Sequence, residues 1–136
     1  MTIVYSLEPD LSAEEFRAVL VASTLGERRP INDLPRLDTM LRQADVIVTA
    51  RDGQRLVGVS RAVTDFSYCC YLSDLAVDVA YQHQGIGKAL ISETRRSSGG
   101  DLVTLILVAA PAAEQYYPRI GMVQHHSCWI LPKTKR

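Results

Sequence analysis

The sequence predicts an α/β fold in a single domain that spans residues 1–136. Three observations lead to this prediction. β-Branched and aromatic runs alternate with amphipathic segments, a strand–turn–strand pattern lies in the middle, and a strand–glycine turn–helix–strand unit follows. A chain of 136 residues that is 47% hydrophobic can bury one sizeable core and is too short for two ordinary domains.

The first third of the chain predicts a strand followed by two helices. Residues 2–7 are rich in β-branched and aromatic side chains, as strands are. A capping-box pattern begins at Ser12 and predicts a first helix that Gly26 ends. Asn32 or Asp33 caps a second helix, whose inward side chains are those of Leu34, Leu37, Met40 and Leu41.

The remainder predicts a hairpin, a strand–helix–strand unit and a short C-terminal part. Asp52 and Gly53 supply the tight turn of a hairpin. A nearly all-apolar run favours a strand that is buried on both faces. The predicted segments are strands at 46–50, 56–59 and 68–79, a helix at 84–96, the buried strand at 102–108, a short helix from Pro111 to Gly121 and a last strand at 122–131.

Composition excludes several classes of protein. Lysine plus arginine and aspartate plus glutamate number 15 each, so no net charge attracts nucleic acid or an acidic membrane. No apolar run approaches the roughly 20 residues of a membrane span. Three cysteines are an odd number without metal-site spacing, so we expect no metal, buried apolar roles for the cysteines and a reducing cytoplasm. The cysteines are Cys69, Cys70 and Cys128.

Gly85 and Gly87 lie at the predicted strand-to-helix junction and allow two interpretations. Either the turn needs positive φ, or the bare amides at the helix start bind a phosphate. A dinucleotide site fits poorly because Leu90 stands where a third glycine belongs. A nucleoside-triphosphate loop fits poorly because Ala89, which has no hydroxyl, follows the lysine. The residues alone leave the tight turn and the anion site both open.

Two blocks in order resemble those of the GNAT N-acetyltransferase superfamily. The first is the strand end at 75–78 followed by Gln-x-x-Gly-x-Gly at 82–87 and a helix. The second is the apolar run at 105–108, small residues at 109–113 and Tyr-Tyr-Pro-Arg-Ile-Gly-Met at 116–122. The resemblance covers nearly the whole chain. It implies a GNAT-like fold with a central twisted mixed β-sheet flanked by about four α-helices, and acetyl transfer from acetyl-CoA to a primary amine in a ternary complex.

The same resemblance implies where the donor binds. The pyrophosphate of acetyl-CoA would lie on backbone amides of the loop, which Gln82 would hold in place. The pantetheine arm would pair with the strand end as an added strand does. The implied cofactor-binding residues are Leu75, Ala76, Val77, Gln82, Gln84, Gly85, Ile86, Gly87, Lys88 and Ala89.

Catalytic roles also follow from the resemblance. Tyr117 would protonate the departing thiolate, and the Val77 amide would bind the oxyanion. Asp74 is a candidate base or amine ligand. The alternatives are that Tyr117 and its neighbour only pack against the sheet, and that Asp78 only caps the turn.

The sequence leaves the identity of the acceptor and the oligomeric state open. Arg28 and Arg29 would wall the acceptor site, and alternation on the last strand would send one of His125 and His126 inward. The acceptor would be a small-molecule or peptide amine, and a homodimer would bury an exposed last strand. The rival functions are a non-catalytic acyl-CoA-binding or regulatory domain and an acyltransferase with another acyl donor.

Overall fold

The protein is described by a computed structural model that covers residues 2–135. It has a five-stranded sheet whose strands lie side by side in chain order, and four α-helices accompany it. This confirms the predicted α/β fold class. The elements are β1 (Ile3–Leu7), α1 (Ala13–Ala22), α2 (Leu34–Arg42), β2 (Val46–Asp52), β3 (Arg55–Thr64), β4 (Cys69–Val77), α3 (Ile86–Ser97), β5 (Thr104–Ile106) and α4 (Tyr116–Arg119).

The sheet is mixed, and its single parallel pair is short. β1 to β4 are antiparallel neighbours, whereas β4 and β5 run parallel and are connected through α3. The β4–β5 ladder covers only Cys69–Tyr71 against Thr104–Ile106. Within the described residues 2–135, β4 therefore has no strand neighbour on this side from position 72 to 77. The two strands separate toward the end of β4, where the glycine-containing turn begins.

A β-bulge interrupts the β3–β4 pairing. Arg61 lies opposite Asp74, but the next residue of β3, Ala62, lies opposite Leu72. Ser73 is thus the extra residue of β4, and it shifts the alternation of side chains by one position. As a result Tyr71 and Asp74 lie on the same face of the sheet.

A separate apolar core lies on each face of the sheet. One core packs against α1 and α2, and the other packs against α3, so the sheet is buried on both sides along most of its length. The first core includes Phe16, Leu20, Leu37, Ile47, Val59 and Ala76. The second includes Val48, Val57, Leu72, Ile86 and Leu90.

Both predicted helix starts are confirmed, and one predicted helix end is wrong. Ser12 accepts a hydrogen bond from the Glu15 N–H at 3.1 Å, and the Asp33 carboxylate caps α2 in the same way. Helix α1 ends at Ala22, before Gly26. Gly26 is instead the buried residue of a 3-10 turn, where an added Cβ would come within 3.2 Å of the Leu20 carbonyl oxygen.

The C-terminal predictions are wrong in two respects. β5 is only three residues long and lies at the sheet edge, with Ile106 53% exposed, because it has one strand neighbour rather than two. The predicted last strand at 122–131 does not form, since this segment has no ladder partner in the described part of the chain. Trp129 is 89% exposed and Leu131 is fully exposed. The short helix is present only as a 3-10 turn at Pro111–Ala113 followed by α4.

None of the helices in residues 2–135 is long and apolar enough to cross a membrane.

Candidate active site

The turn between β4 and α3 is held at both ends by side chains. Asp78 caps the 3-10 turn that follows β4 by accepting from the Ala80 N–H at 2.9 Å, and it also pairs with Arg55 at 3.0 Å. Asp78 therefore does cap the turn. Gln82 donates from Nε2 to the carbonyl oxygen of Val77 at 3.0 Å, which ties the start of the loop to the strand end. We call residues 82–88 the glycine loop.

The glycine loop leaves the first turn of α3 without a side-chain cap. Gly85 is the N-cap residue, and its φ of +83° is a conformation that an L side chain rarely adopts. Since it has no side chain to accept a hydrogen bond, the first N–H groups of α3 point into the space beyond the helix end. Two predicted amides are already engaged, because the Ala89 N–H donates to the Gly85 carbonyl at 3.1 Å and the Lys88 N–H donates to the Tyr116 hydroxyl.

Tyr116 reaches this helix end from the other sequence block. A Cβ added at Gly87 would lie 2.6 Å from the Tyr116 hydroxyl oxygen, so only glycine leaves room for the phenol. Burial raises the pKa of Tyr116, and a hydrogen bond from the Lys88 backbone N–H to the phenol opposes that rise. An oxygen atom of the protein itself thus already lies against the first turn of α3.

Tyr117 lies beside Tyr116 at the same end of the sheet. The two rings pack edge to face, with centroids 5.3 Å apart and planes at 76°. Burial, and to a lesser extent the neighbouring Tyr116, raises the pKa of Tyr117. The phenol is therefore protonated throughout the neutral range, as an acid must be. The structure brings the tyrosine pair and the glycine loop together, although the two blocks are far apart in the sequence.

The end of β4 separates the α3 side of the candidate site from its α1–α2 side. Leu75 and Val77 pack on the α3 side of the sheet, whereas Ala76 packs on the α1–α2 side. No described strand pairs here with the edge of β4 that faces away from β3. An extended chain can therefore pair with this edge through backbone hydrogen bonds.

Asp74 is part of a buried ion cluster on the α1–α2 side. Its side chain has no exposed surface; Oδ1 accepts from Arg29 Nε at 2.5 Å, and Oδ2 accepts from Arg61 Nε. The same arginines bind the bulge residue, since Arg29 Nη2 donates to the Ser73 carbonyl at 2.8 Å and Arg61 Nη2 donates to its hydroxyl at 2.9 Å. We call Arg29, Asp74 and Arg61 the Arg–Asp–Arg cluster.

The cluster changes the interpretation of Asp74. Both of its carboxylate oxygens are occupied and neither is open to solvent, so Asp74 does not reach an acceptor amine unless the cluster breaks. The predicted role as base or amine ligand therefore does not suit this geometry. The sequence reasoning did not single out Arg61. The only signal for it is a lone arginine within an otherwise small and apolar strand, Leu56 to Val63.

Several other predicted residues lie elsewhere. Cys70 is buried, and burial raises the pKa of its thiol, but Cys69 and Cys128 are exposed, so the expected burial holds for one cysteine of three. His125 and His126 are both exposed and lie outside any strand, so the predicted alternation is wrong. Within residues 2–135, no group of three or more potential ligands is placed to hold a metal ion.

The sequence matches one known domain family. The Acetyltransferase (GNAT) domain family matches residues 43–123, which is more than half of the 136-residue chain. The chain belongs to the GNAT acetyltransferase family. The matched region starts before β2 and ends just after α4, so it contains the glycine loop, both tyrosines and the end of β4.

Known acetyltransferases resemble the chain in sequence or in fold. The histone acetyltransferase TAP1 of Glycine max is 35% identical over 69 residues, which are 50% of this chain and 30% of the soybean protein. The GNAT family protein SP0256 from Streptococcus pneumoniae TIGR4 is 24% identical, with a TM-score of 0.73 over 97% of this chain and 100% of that one. The aminoglycoside N-acetyltransferase AAC(6')-Iy in complex with CoA is 16% identical, with a TM-score of 0.74 over 98% of this chain and 96% of that one. The two structures share the GNAT fold with this chain, and the chain spans less than a third of the soybean relative's length.

Proposed function

We propose that this GNAT domain is an N-acetyltransferase that moves the acetyl group of acetyl-CoA to a primary amine by direct attack in a ternary complex. One observation carries the proposal. The uncapped start of α3, the unpaired end of β4 and the half-buried Tyr117 converge at the same end of the sheet.

The donor is held mainly by backbone groups. The pyrophosphate lies on the free amides at residues 85–87, where the partial positive charge of the helix end stabilises it. The Tyr116 hydroxyl supports this fit, because that oxygen already occupies a position against the same turn. No net positive charge of the protein is needed, which agrees with the equal numbers of basic and acidic residues.

The pantetheine arm lies along the unpaired edge of β4 and places the thioester between β4 and α4. The neutral amine nitrogen attacks the thioester carbon, the carbon–sulfur bond breaks, and Tyr117 gives its phenolic proton to the sulfur. The ammonium proton of the product leaves to solvent, from which the phenolate is reprotonated. Because the raised pKa of Tyr117 keeps its proton in place until the thiolate forms, the residue acts as an acid and not as a base.

A binding test and a turnover test separate this function from its rivals. Acetyl-CoA should raise the melting temperature of the protein, whereas NAD and ATP should leave it unchanged, since only a ligand of the native state stabilises it. Thiol release from acetyl-CoA should then require an added amine. Stabilisation by acetyl-CoA without any thiol release would indicate a non-catalytic acyl-CoA-binding domain. A larger shift with succinyl-CoA than with acetyl-CoA would change the assigned acyl group.

We also propose that the domain forms a homodimer through its open sheet edge. Ile106 on β5 and the apolar residues of segment 122–131 are exposed, and such edges are usually covered. Light scattering on the purified protein tests this, and a monomer at micromolar concentration would contradict it.

A further inference from the structure

The Arg–Asp–Arg cluster carries a net positive charge on the acceptor side of the site. One carboxylate is shared by two guanidinium groups, so one positive charge remains uncompensated. The other charges of the adjoining loop do not alter this sum, because the exposed Glu27 and Arg28 have opposite signs. A cationic acceptor would therefore be repelled at this position, whereas an anionic group would be attracted.

Arg29 is the member of the cluster that can reach a ligand. Its side chain is 22% exposed, compared with 10% for Arg61 and none for Asp74. Its guanidinium donates to Asp74, to the Arg28 carbonyl at 2.9 Å and to the Ser73 carbonyl at 2.8 Å. A guanidinium has more N–H groups than these three hydrogen bonds use. The remaining N–H groups can bind a carboxylate while the cluster holds the arginine in place.

An apolar surface lies beside the cluster on the same face of the sheet. Val63, Tyr71 and Ile106 lie opposite one another on three neighbouring strands, and they are 47%, 41% and 53% exposed. Along β3 this row lies two residues beyond Arg61, or roughly 7 Å from the Arg61–Asp74 pair. In the other direction β4 continues to Ala76 and the proposed thioester position. A cationic position thus lies between the apolar row and the reacting end.

We propose that the acceptor of this enzyme carries a carboxylate next to its amine, which Arg29 binds, and an apolar side group that lies over Tyr71, as in an apolar α-amino acid. This order of groups matches the order along β4, since the amine points toward the end of β4 and the side group points away from it. The inference rests on the proposed acetyl-transfer function.

Matched pairs of acceptors test the inference without any mutation. Phenylalanine and phenethylamine differ only by the carboxylate, as do leucine and isoamylamine. Phenylalanine should have a kcat/KM about tenfold or more above that of phenethylamine, because a charge-assisted hydrogen bond to a partly buried arginine is lost in the latter. Spermidine, a polycation, should be the poorest acceptor. Equal or better transfer to phenethylamine or spermidine would overturn the inference while leaving acetyl transfer itself intact.

A variant of Arg29 then tests the residue. In Arg29→Gln the preference for phenylalanine over phenethylamine should fall to near parity through a higher KM for phenylalanine, with the KM for acetyl-CoA unchanged. Arg96→Gln, on the exposed far end of α3, is the control and should keep the preference. If Arg29 were only structural, the variant would lose activity equally with both amines. If Arg29→Gln does not fold, Arg29→Lys, which keeps the charge, replaces it as the test variant. The preference of the unmodified enzyme for phenylalanine over phenethylamine still decides whether the inference holds.

Binding provides a readout that needs no turnover. With CoA present, N-acetylphenylalanine should raise the melting temperature more than N-acetylphenethylamine does. An equal effect of the two compounds would count against the inference even if no thiol release were observed. If neither acetyl-CoA nor CoA stabilises the protein, the proposed function fails, and the inference that rests on it fails as well.

Discussion

The proposed donor side and the proposed acceptor side of this site are built from different parts of the chain. The donor side is made of backbone groups from one continuous segment, the end of β4 and the glycine loop. The acceptor side is made of side chains from three segments, since Arg29, Arg61 and Asp74 come from a loop, β3 and β4. A binding site made of backbone groups tolerates many different side chains but requires glycine at particular positions. A side-chain cluster requires each of its members.

The largest effect should come from removing the centre of the acceptor-side cluster. Asp74→Ala leaves Arg29 and Arg61 without their shared carboxylate, and breaking a buried ion pair in this way typically costs about 3–5 kcal/mol. Urea unfolding should show this loss. Asp38→Ala is the control, because the exposed pair of Asp38 with Arg42 contributes less than about 1 kcal/mol. A similar small loss for both variants would mean that the cluster does not hold the acceptor side together.

Tyr117→Phe should lower kcat about 100-fold, within the range for loss of a general acid, while the affinity for acetyl-CoA stays the same. Tyr68→Phe, on an exposed tyrosine, is the control and should leave kcat unchanged. Unaltered turnover in Tyr117→Phe at every pH would remove the acid role.

The pH dependence of turnover gives a separate test of Tyr117. Burial raises the pKa of this phenol above its ordinary value near 10, so the acid form persists through neutral pH and is lost only as the pH rises through the raised pKa. The free energy of unfolding should also fall as the pH rises from the ordinary pKa of a phenol through the raised pKa of this half-buried one. A decrease in kcat with rising pH that begins near neutrality must therefore come from another group.

On the donor side, Gly87→Ala should separate packing from binding. The added Cβ would meet the Tyr116 hydroxyl at 2.6 Å, so we expect a loss of about 1–3 kcal/mol in unfolding free energy and weaker acetyl-CoA binding. Adding Tyr116→Phe removes the clashing oxygen and should restore stability without restoring affinity. If the double variant recovers both, the methyl group at position 87 does not interfere with the donor.

The smallest effect should come from the link between loop and strand. Gln82→Ala removes the hydrogen bond to the Val77 carbonyl, which is exposed and contributes about 1 kcal/mol or less. Acetyl-CoA affinity should fall a few-fold in a thermal-shift titration, and stability should barely change. Gln84 lies in the same loop, and its side chain makes no such hydrogen bond in the described structure. Gln84→Ala therefore serves as the control. A loss of affinity in Gln84→Ala equal to that in Gln82→Ala would point to a general change in the loop.

The difference between the two sides also decides what the sequence could reveal. Gly85 and Gly87 mark the donor side because the positive φ of the first and the close approach of Tyr116 to the second both require glycine. These constraints leave a local pattern that can be read directly. The Tyr116 contact itself was not predictable, since it depends on how α4 packs against α3.

The acceptor side leaves no such local pattern. Arg29 and Asp74 are 45 positions apart and meet only through the pairing of β4 with β3 and the placement of the α1–α2 connection. The sequence identified both residues but not their contact, and therefore made Asp74 a candidate base or amine ligand. The predicted strand at 122–131 was also wrong: among the described residues this segment joins no ladder although the outer edge of β5 is free, and only Val123 and Ile130 in it are β-branched, so its strand propensity is weak.

The bulge at Ser73 makes the length of β4 more important than the identity of this residue. Every side chain after it, from Asp74 to Val77, keeps its face only because one extra residue precedes it. Deleting Ser73 would turn the Asp74 carboxylate into the apolar core beneath α3 and turn Leu75 and Val77 toward α1 and α2. Natural variants of this domain should therefore tolerate a change of residue 73, which costs the Arg61–Ser73 hydroxyl hydrogen bond, far better than they tolerate its deletion.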